Sequence, residues 1–340
     1  MKTGIYVPIP HVTAHSPRLA AATAAAQRPL APLEVDPAFT LARDSVLEAE
    51  RLGFDLALFA ERHLGPDLEA WVLGAAVASH TSRIQIMPAS NPDFWHPNML
   101  AKMAATLDRI APGRSAINFV TGWSRDEQSY FSSVRHDSDE ARYSRAEAFI
   151  DTMRATWSAD RDTPVEVVEG AEFYPAALPL ATAGEFPPIY AVSRSERGLD
   201  MVAKSADHWF VDWGSGFDRT FDEVLESARV SIDQMRERAA HYGREVGLCV
   251  SAFVLPAATE EEGWQRVDEL QARTRSTTPH LVGPQLGAMG ARLVGPPSLI
   301  RDRIDRFREL GVEFLLCKYV PDVDALDELA DIVSPIAVVS

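Results

Sequence analysis

The residue types best suited to catalysis or ligand binding lie at the ends of short apolar runs. Glu61, Arg62 and His63 follow the run FDLALFA. Asn118 interrupts the apolar run RSAINFV, and Thr121 comes directly after it. Histidine is the usual proton carrier near neutral pH, and a neighbouring carboxylate or guanidinium can orient it. The first group therefore indicates either proton transfer or a salt-bridge cluster, and the buried amide of Asn118 needs either a ligand or neighbouring backbone as its hydrogen-bond partner.

A second pattern offers an anion site. Ser193 ends the apolar run PIYAVS in the stretch AVSRSERG, and Ser195, two residues later, is placed to cap the helix that follows. Free N–H groups at a helix N-terminus, with the helix dipole behind them, attract phosphate. Arg142 and Tyr143 in DSDEARYSRAEAF add a cation and a phenol for the same anion. The alternatives are a serine that only caps its helix and an Arg-Tyr pair on a solvated helix face.

Alternating β-type and helical patterns must position these residues. β-type runs are predicted at 3–9, 54–60, 83–89, 114–120, 188–193, 208–213, 248–257 and 311–320. Helical patterns follow at 36–53, 67–80, 97–110, 141–157, 195–206, 218–242, 259–273 and from 322. Eight β–α units favour an α/β fold, a single (β/α)8 TIM barrel formed by one domain over residues 1–340. A doubly wound open sheet is the alternative, but no G-x-G-x-x-G motif follows the first strand.

Three long connections accompany these units, at 10–35, 122–140 and 275–293. The first two follow strands, so we expect them to be loop insertions at the C-terminal face of the barrel, where barrel enzymes carry out their chemistry. The third is rich in Gly, Pro, Ser and Thr. It is interpreted either as a mobile lid or as a surface insertion.

Composition excludes several functional classes. The 340 residues include 33 Lys+Arg and 49 Asp+Glu, and this net charge of −16 opposes binding to nucleic acid or to anionic membrane surfaces. No signal peptide or membrane span is evident, and Cys249 and Cys317 stand apart in apolar runs, so we expect a cytoplasmic protein with buried thiols. The nine histidines form no H-E-x-x-H pair, so no metal site is expected.

The chain resembles the bacterial luciferase-like flavin monooxygenases, within them the alkanesulfonate, dimethyl sulfone and pyrimidine monooxygenases. The resemblance covers nearly the whole chain, and the family's fold is a (β/α)8 barrel. It is carried by the blocks LGFDLALFAERH, ASHTSRIQIMPA, MLAKMAATLDRIAPGRSAINFVTGW, ARYSRAEAFIDTMRATW and LVGPPSLIRDRIDRFRELGVEFLLCKY.

The resemblance implies a cofactor and partners. Reduced FMN (FMNH2) would bind at the C-terminal mouth and react with O2 to a peroxyflavin that oxygenates a small organic substrate, such as a sulfonate, a sulfone or a nitrogen heterocycle. Because the chain has no dinucleotide motif, a separate NAD(P)H:flavin reductase would supply the reduced flavin. A homodimer or homotetramer is usual among relatives. The alternatives are a deazaflavin-dependent oxidoreductase of the same fold and a catalytically silent flavin-binding subunit.

The resemblance also assigns roles to residues. Asn118 matches the family's flavin-contacting Asn, Ser195 matches the phosphate-binding Ser, and Ser193 stands where relatives usually have Gly. The catalytic candidates are Asn118, His63 and Thr121. The candidates for cofactor binding are Ala60, Glu61, Arg62, Asn118, Glu127, Arg142, Tyr143, Ser193 and Ser195. Sulfonate and sulfone enzymes use a longer lid region that supplies positive charge to the substrate; here Arg273, Arg275 and Arg292 are the candidates for that role.

Overall fold

The structure is a computed structural model that describes most of the chain. The described residues are 1–9, 16–26, 28–65, 67–121, 125–132, 134, 138–158, 165–168, 171–173, 185–211, 219–277, 287–321 and 324–333. The strands are β1 (Lys2–Tyr6), β2 (Leu56–Phe59), β3 (Gln85–Ser90), β4 (Ile117–Phe119), β5 (Val165–Val168), β6 (Ala171–Phe173), β7 (Ile189–Ala191), β8 (His208–Phe210), β9 (Gly247–Phe253), β10 (Leu255–Pro256), β11 (Val294–Gly295) and β12 (Phe314–Lys318). The helices are α1 (Pro17–Ala26), α2 (Pro37–Arg51), α3 (Ala70–Ala78), α4 (Pro97–Ile110), α5 (Arg125–Phe131), α6 (Asp139–Ser158), α7 (Glu196–Ser205), α8 (Phe221–His241), α9 (Glu260–Thr277), α10 (Pro297–Glu309) and α11 (Ala325–Val333).

Eight strands close into a parallel barrel. Their order around the barrel is β1, β12, β9, β8, β7, β4, β3 and β2, and each neighbouring pair is parallel. Each of the eight β-type runs of the sequence overlaps one of these strands, so the predicted (β/α)8 barrel is confirmed. In a parallel barrel all strands end at the same face, so the loops after β2, β3, β4 and β7 meet at one mouth.

The lower part of the barrel interior is filled by side chains. Tyr190, Phe210 and Phe314 pack together there with their ring centroids 5.9 to 6.4 Å apart. Residue 4 on β1 must be a glycine, because a Cβ at this position would lie 2.7 Å from the Leu56 carbonyl oxygen and 2.8 Å from the Phe314 ring. These aromatic rings therefore fill this part of the barrel interior.

The structure adds helices where long connections were predicted. Residues 17–26 of the first connection form α1, because alanine is the strongest helix former and Pro17 occupies the first helical turn. Leu19 of α1 is buried in a cluster with Leu41 of α2. The second connection contains the short helix α5, and its residues 122–124, 133 and 135–137 lie outside the described part. The prediction of irregular structure was therefore wrong over these two helices.

The third connection is part of an inserted unit, which consists of β10, α9 and β11 and lies between β9 and β12 in the chain. The predicted strand 248–257 is split into β9 and β10, and β10 pairs with β11 rather than with the barrel. Helix α9 packs on β11, so α9 belongs to the insertion, and α10 makes the return to β12. Residues 278–286, the centre of the predicted lid, lie outside the described part. Within the described ranges, no helix has the length and apolar composition needed to cross a membrane.

Candidate active site

Three hydroxyl groups meet at the N-terminus of α7, and we call Tyr143, Ser193 and Ser195 the hydroxyl cluster. The Tyr143 hydroxyl lies 3.3 Å from Ser193 Oγ and accepts a hydrogen bond from Ser195 Oγ at 3.1 Å. Ser195 caps α7 by accepting a hydrogen bond from the Gly198 N–H at 3.2 Å. Residues from two distant parts of the chain, the start of α6 and the end of β7, thus form one polar patch at the mouth.

A cation adjoins the hydroxyl cluster. Arg142 Nη2 donates to the Tyr143 hydroxyl at 3.2 Å and to Asp139 Oδ1 at 3.0 Å. The buried Nε of Arg142 has no hydrogen-bond partner within the described ranges. Burial opposes ionisation of Tyr143, but the hydrogen bonds from the serines and the charge of Arg142 outweigh it and lower the pKa of this phenol. The patch therefore combines three hydroxyl groups with a guanidinium group, and such hydrogen-bond donors suit a phosphate group.

Gly198 makes the close convergence of these groups possible. A Cβ at this position would lie 1.9 Å from Ser193 Oγ and 2.6 Å from Cζ of Tyr143. The first turn of α7 can approach the two hydroxyls only because residue 198 has no side chain. Thr121, which is buried at the end of β4, also hydrogen-bonds the Tyr143 side chain.

A second group of polar residues surrounds the loop after β2, and we call Glu61, Arg62, His63 and Glu127 the carboxylate cluster. Glu61 is buried and accepts hydrogen bonds from Trp95 Nε1 and from the Asn91 N–H, each at 2.6 Å. Its Oε1 also lies 3.3 Å from His63 Nε2. The His63 ring packs edge-on against Phe94, with ring centroids 4.9 Å apart. Glu61 is thus fixed by the loop after β3 and holds His63 beside an aromatic wall.

Glu127 ties α5 to the same loop. Its Oε1 accepts hydrogen bonds from the N–H groups of His63 at 3.2 Å and Leu64 at 3.3 Å. The same oxygen lies 3.5 Å from Arg62 Nε, and both side chains of this ion pair are buried. The structure therefore brings Glu127 together with residues 61–63, more than sixty positions earlier in the chain.

The Glu61–His63 contact sets the protonation of both groups. Burial raises the pKa of the Glu61 carboxyl, although its hydrogen bonds act in the opposite direction. The contact with Glu61 raises the pKa of His63 in spite of partial burial. Both shifts favour the presence of a proton on the pair, so this couple can hold a proton at the edge of the mouth.

Glu61→Gln is expected to lower the pKa of His63, because the substitution removes the charge that raises it. An NMR titration of the His63 ring measures this pKa. A raised pKa stabilises the folded state only while the histidine is protonated. The stability of the wild-type protein should therefore fall as the pH rises from about 6.5 through the pKa of His63 in the folded state. The stability of Glu61→Gln should fall less over the same pH range. Glu226→Gln, on the exposed face of α8, is the matched control. An unchanged His63 titration would contradict this coupling.

Asn118 faces the mouth between the two clusters. Ala116, two residues earlier on the same face of the strand, belongs to the barrel interior. The Asn118 side chain is buried, and its Oδ1 has no hydrogen-bond partner in the described part of the chain. β4 pairs with β7, which leads into the hydroxyl cluster. Ala60, at the end of β2, presents only a methyl group to the interior. An unsatisfied amide beside small side chains is suited to a polar, flat ligand.

The three arginines named as candidates for supplying positive charge to the substrate lie in different surroundings. Arg273 and Arg275 are exposed on α9. Arg292 stacks on Trp264 with its guanidinium 4.5 Å from the ring centroid, and it donates to the Arg219 carbonyl at 2.7 Å. Arg292 is therefore part of the packing of the inserted unit. In the described ranges, no group of three or more His, Cys, Asp or Glu side chains is arranged to hold a metal ion.

Two residues of the mouth, Gly198 and Lys318, were not predicted from the sequence. Gly198 carried no signal, because its role depends on contacts with residues from other elements. Lys318 ends the apolar run GVEFLLCK, and a lysine within a buried strand was the available signal.

Comparisons with known proteins show the family and the fold. The family model of the luciferase-like monooxygenases matches residues 12–313. The FMNH(2)-dependent dimethylsulfone monooxygenase of Pseudomonas putida is 26% identical over 307 residues, with 80% of each chain covered. The fold is similar to that of the monooxygenase RslO1 from Streptomyces bottropensis, with a TM-score of 0.69, 20% identity, and 98% and 97% of the two chains covered. An F420-dependent secondary alcohol dehydrogenase gives a TM-score of 0.69 at 15% identity, with 98% of each chain covered.

Proposed function

Because the chain belongs to the luciferase-like monooxygenase family, we propose that it is an FMNH2-dependent monooxygenase that uses O2 to oxygenate a small organic substrate. The name of the Pseudomonas putida relative supports reduced FMN as the cofactor and a sulfone as the substrate. A sulfonate and a nitrogen heterocycle are the other substrates that we propose. We further propose that a separate NAD(P)H:flavin reductase supplies the reduced cofactor.

The hydroxyl cluster is the observation that carries this proposal. Tyr143, Ser193 and Ser195, with Arg142 beside them, offer hydroxyl and guanidinium donors to a phosphate at the N-terminus of a ten-residue helix. The buried and unpartnered Oδ1 of Asn118 offers an acceptor on the neighbouring strand. The residues present therefore fit FMN, with its phosphate at the hydroxyl cluster and its ring system towards Asn118.

The remaining site residues would prepare the mouth for catalysis. When bound, reduced FMN supplies the activation of O2. Glu61 and His63 would hold a proton at the edge of the ring site, and Glu127 would fix the loop that carries them. Phe94 and Phe131 pack on His63 and would limit the access of water. A water-poor site protects reactive oxygen chemistry from side reactions.

Arg142→Ala and Ser195→Ala are expected to weaken FMN binding by about 10- to 100-fold, because each removes a hydrogen bond to a charged group worth about 1.5–3 kcal/mol. Riboflavin lacks the phosphate, so its affinity should change little. Fluorescence titrations with the two flavins measure this difference. Thr220→Ala removes the N-cap of α8 and controls for the capping role of Ser195. An equal loss of affinity for FMN and riboflavin would contradict the phosphate site.

An oxygen pulse tests the reaction class. The protein is first loaded with reduced FMN without oxygen and then mixed with oxygenated buffer, with a panel of sulfones, sulfonates and nitrogen heterocycles present. We expect consumption of O2 and incorporation of one oxygen atom from labelled O2 into a product. Hydride transfer without O2 consumption would favour a deazaflavin-dependent reaction, and the absence of any turnover would favour a silent subunit.

The assembly and location of the protein remain proposals. We propose a single-domain, cytoplasmic enzyme that forms a homodimer or homotetramer. Val72 on α3 and Met99 on α4 are large apolar side chains that are 71% and 56% exposed on neighbouring helices, which supports an interface on this side of the barrel. Light scattering of the purified protein measures the oligomeric state.

A further inference from the structure

Lys318 occupies the mouth of the barrel at the end of β12, which is two strands from β2 and three strands from β7 around the barrel. Phe314 and Leu316, at alternate positions of the same strand, point into the barrel interior. Because side chains alternate along a strand, Lys318 continues this inward row at the C-terminal end of β12. Its Nζ lies 5.1 Å from the centre of the Tyr6 ring on the neighbouring strand β1. Lys318 is thus an inward-facing ammonium group at the level where a ligand would lie.

The strand order places Lys318 opposite the proposed flavin contacts. β12 and β4 are four strands apart in either direction around the closed barrel. Lys318 therefore faces Asn118 across the mouth. The hydroxyl cluster follows β7, which is three strands from β12 by the shorter way. A phosphate held at the hydroxyl cluster is consequently on the far side of the mouth from the ammonium group.

The charge of Lys318 has no acidic partner in the described part of the chain. Its contact there is the face of the Tyr6 ring, whereas Arg62 lies beside Glu127 and Arg142 beside Asp139. Burial lowers the pKa of Lys318 to about 8. Lys318 is half-buried, and a partly desolvated ammonium group without a counterion is less stable than one in water. At neutral pH the ammonium group is still largely protonated, and an anion that enters the mouth would provide its counterion.

We propose that Lys318, flanked by Tyr6, is the specificity-determining anion subsite for the organic substrate, so that the enzyme selects small organic monoanions such as sulfonates or carboxylates over neutral molecules of the same shape. This inference rests on the proposed function only in that the substrate shares the mouth with the flavin. The negative group docks on Lys318, and the organic part extends towards Asn118 and the flavin ring.

Matched pairs of probes test this selection. Methane-, butane- and octanesulfonate are compared with the methyl sulfones of the same chain length, which have nearly the same shape but no charge. Calorimetric titrations are run with the free protein and with the FMN-saturated protein at neutral pH. We expect at least one sulfonate to bind about tenfold or more tightly than its sulfone, as a charge-assisted hydrogen bond provides.

Three variants assign the selection to Lys318. Lys318→Met keeps the length of the side chain and should abolish the preference for the sulfonate, whereas Lys318→Arg should retain much of it. Lys102→Met removes one exposed positive charge on α4 and should leave the preference unchanged. Preserved selection in Lys318→Met, or no saturable binding of any sulfonate, would overturn the proposal.

Flavin binding is measured separately on the same proteins, so the two proposals can fail independently. If FMN does not bind but the sulfonate preference depends on Lys318, the proposed function fails and the anion subsite stands. If Lys318→Met weakens FMN binding and leaves the sulfonate preference intact, Lys318 serves the cofactor and the subsite proposal is wrong.

Discussion

Glu127→Ala is expected to lower the free energy of unfolding by about 3–5 kcal/mol, the cost of removing one partner of a buried ion pair. Glu127 is 1% exposed, and its carboxylate serves Arg62 and the N–H groups of His63 and Leu64. The variant leaves the buried Arg62 charge and two backbone donors without this acceptor. It also releases α5 from the loop after β2. Urea denaturation measures the loss.

Matched variants separate the sources of this loss. Glu226→Ala breaks an ion pair with Arg229 on α8, where both side chains are at least half exposed, and it should cost less than about 1 kcal/mol. Glu127→Gln retains a hydrogen-bond acceptor without the charge. Its loss in the free energy of unfolding should lie between those of Glu127→Ala and Glu226→Ala. If Glu127→Ala is as stable as Glu226→Ala, the buried pair does not hold α5 in place.

The barrel was predictable because its signals are local. Each barrel strand is a short apolar run, and the helix 97–110 was predicted with its observed bounds, since Pro97 can begin a helix and Pro112-Gly113 must end one soon after Ile110. Helix α1 was missed because its alanine-rich segment was included in a long connection that begins near Pro10. Of the inserted unit, only residues 275–293 were interpreted as a lid or a surface insertion. The separation of β10 from β9 was missed because the break after Phe253 depends on the pairing of β10 with β11.

The candidate site was predictable only in part. The cap formed by Ser195 follows from local sequence, and the structure shows it. The contact of Tyr143 with two serines fifty positions away depends on how α6 packs against the loop after β7, and sequence spacing carries no information about it. The hydrogen bond from Trp95 to Glu61 is of the same kind, because Trp95 could equally have packed in the core.

Gly198→Ala is expected to weaken FMN binding by about 10- to 100-fold. Alanine favours a helix over glycine by about 1 kcal/mol, so the substitution would stabilise α7 if residue 198 had open space around it. Instead the new methyl group would lie 1.9 Å from Ser193 Oγ and 2.6 Å from the Tyr143 ring. Overpacking of this kind costs about 1–3 kcal/mol, and its relief must displace the hydroxyls proposed to hold the phosphate. Fluorescence titration with FMN measures the effect.

A helical glycine outside the cluster provides the control, and a double variant identifies the contact that matters. Gly74→Ala on α3 meets its nearest neighbours at 3.3 Å and should leave FMN affinity unchanged. Ser193→Gly combined with Gly198→Ala removes the shorter contact but keeps the one with Tyr143. Ser193→Gly alone is the reference, because Ser193 is itself proposed to hold the phosphate. FMN binding in the double variant equal to this reference would assign the loss to Ser193, whereas weaker binding than the reference would assign it to the Tyr143 ring. Unchanged affinity in Gly198→Ala alone would mean that the phosphate is not bound at the hydroxyl cluster, since no substitution at this position can leave that cluster undisturbed.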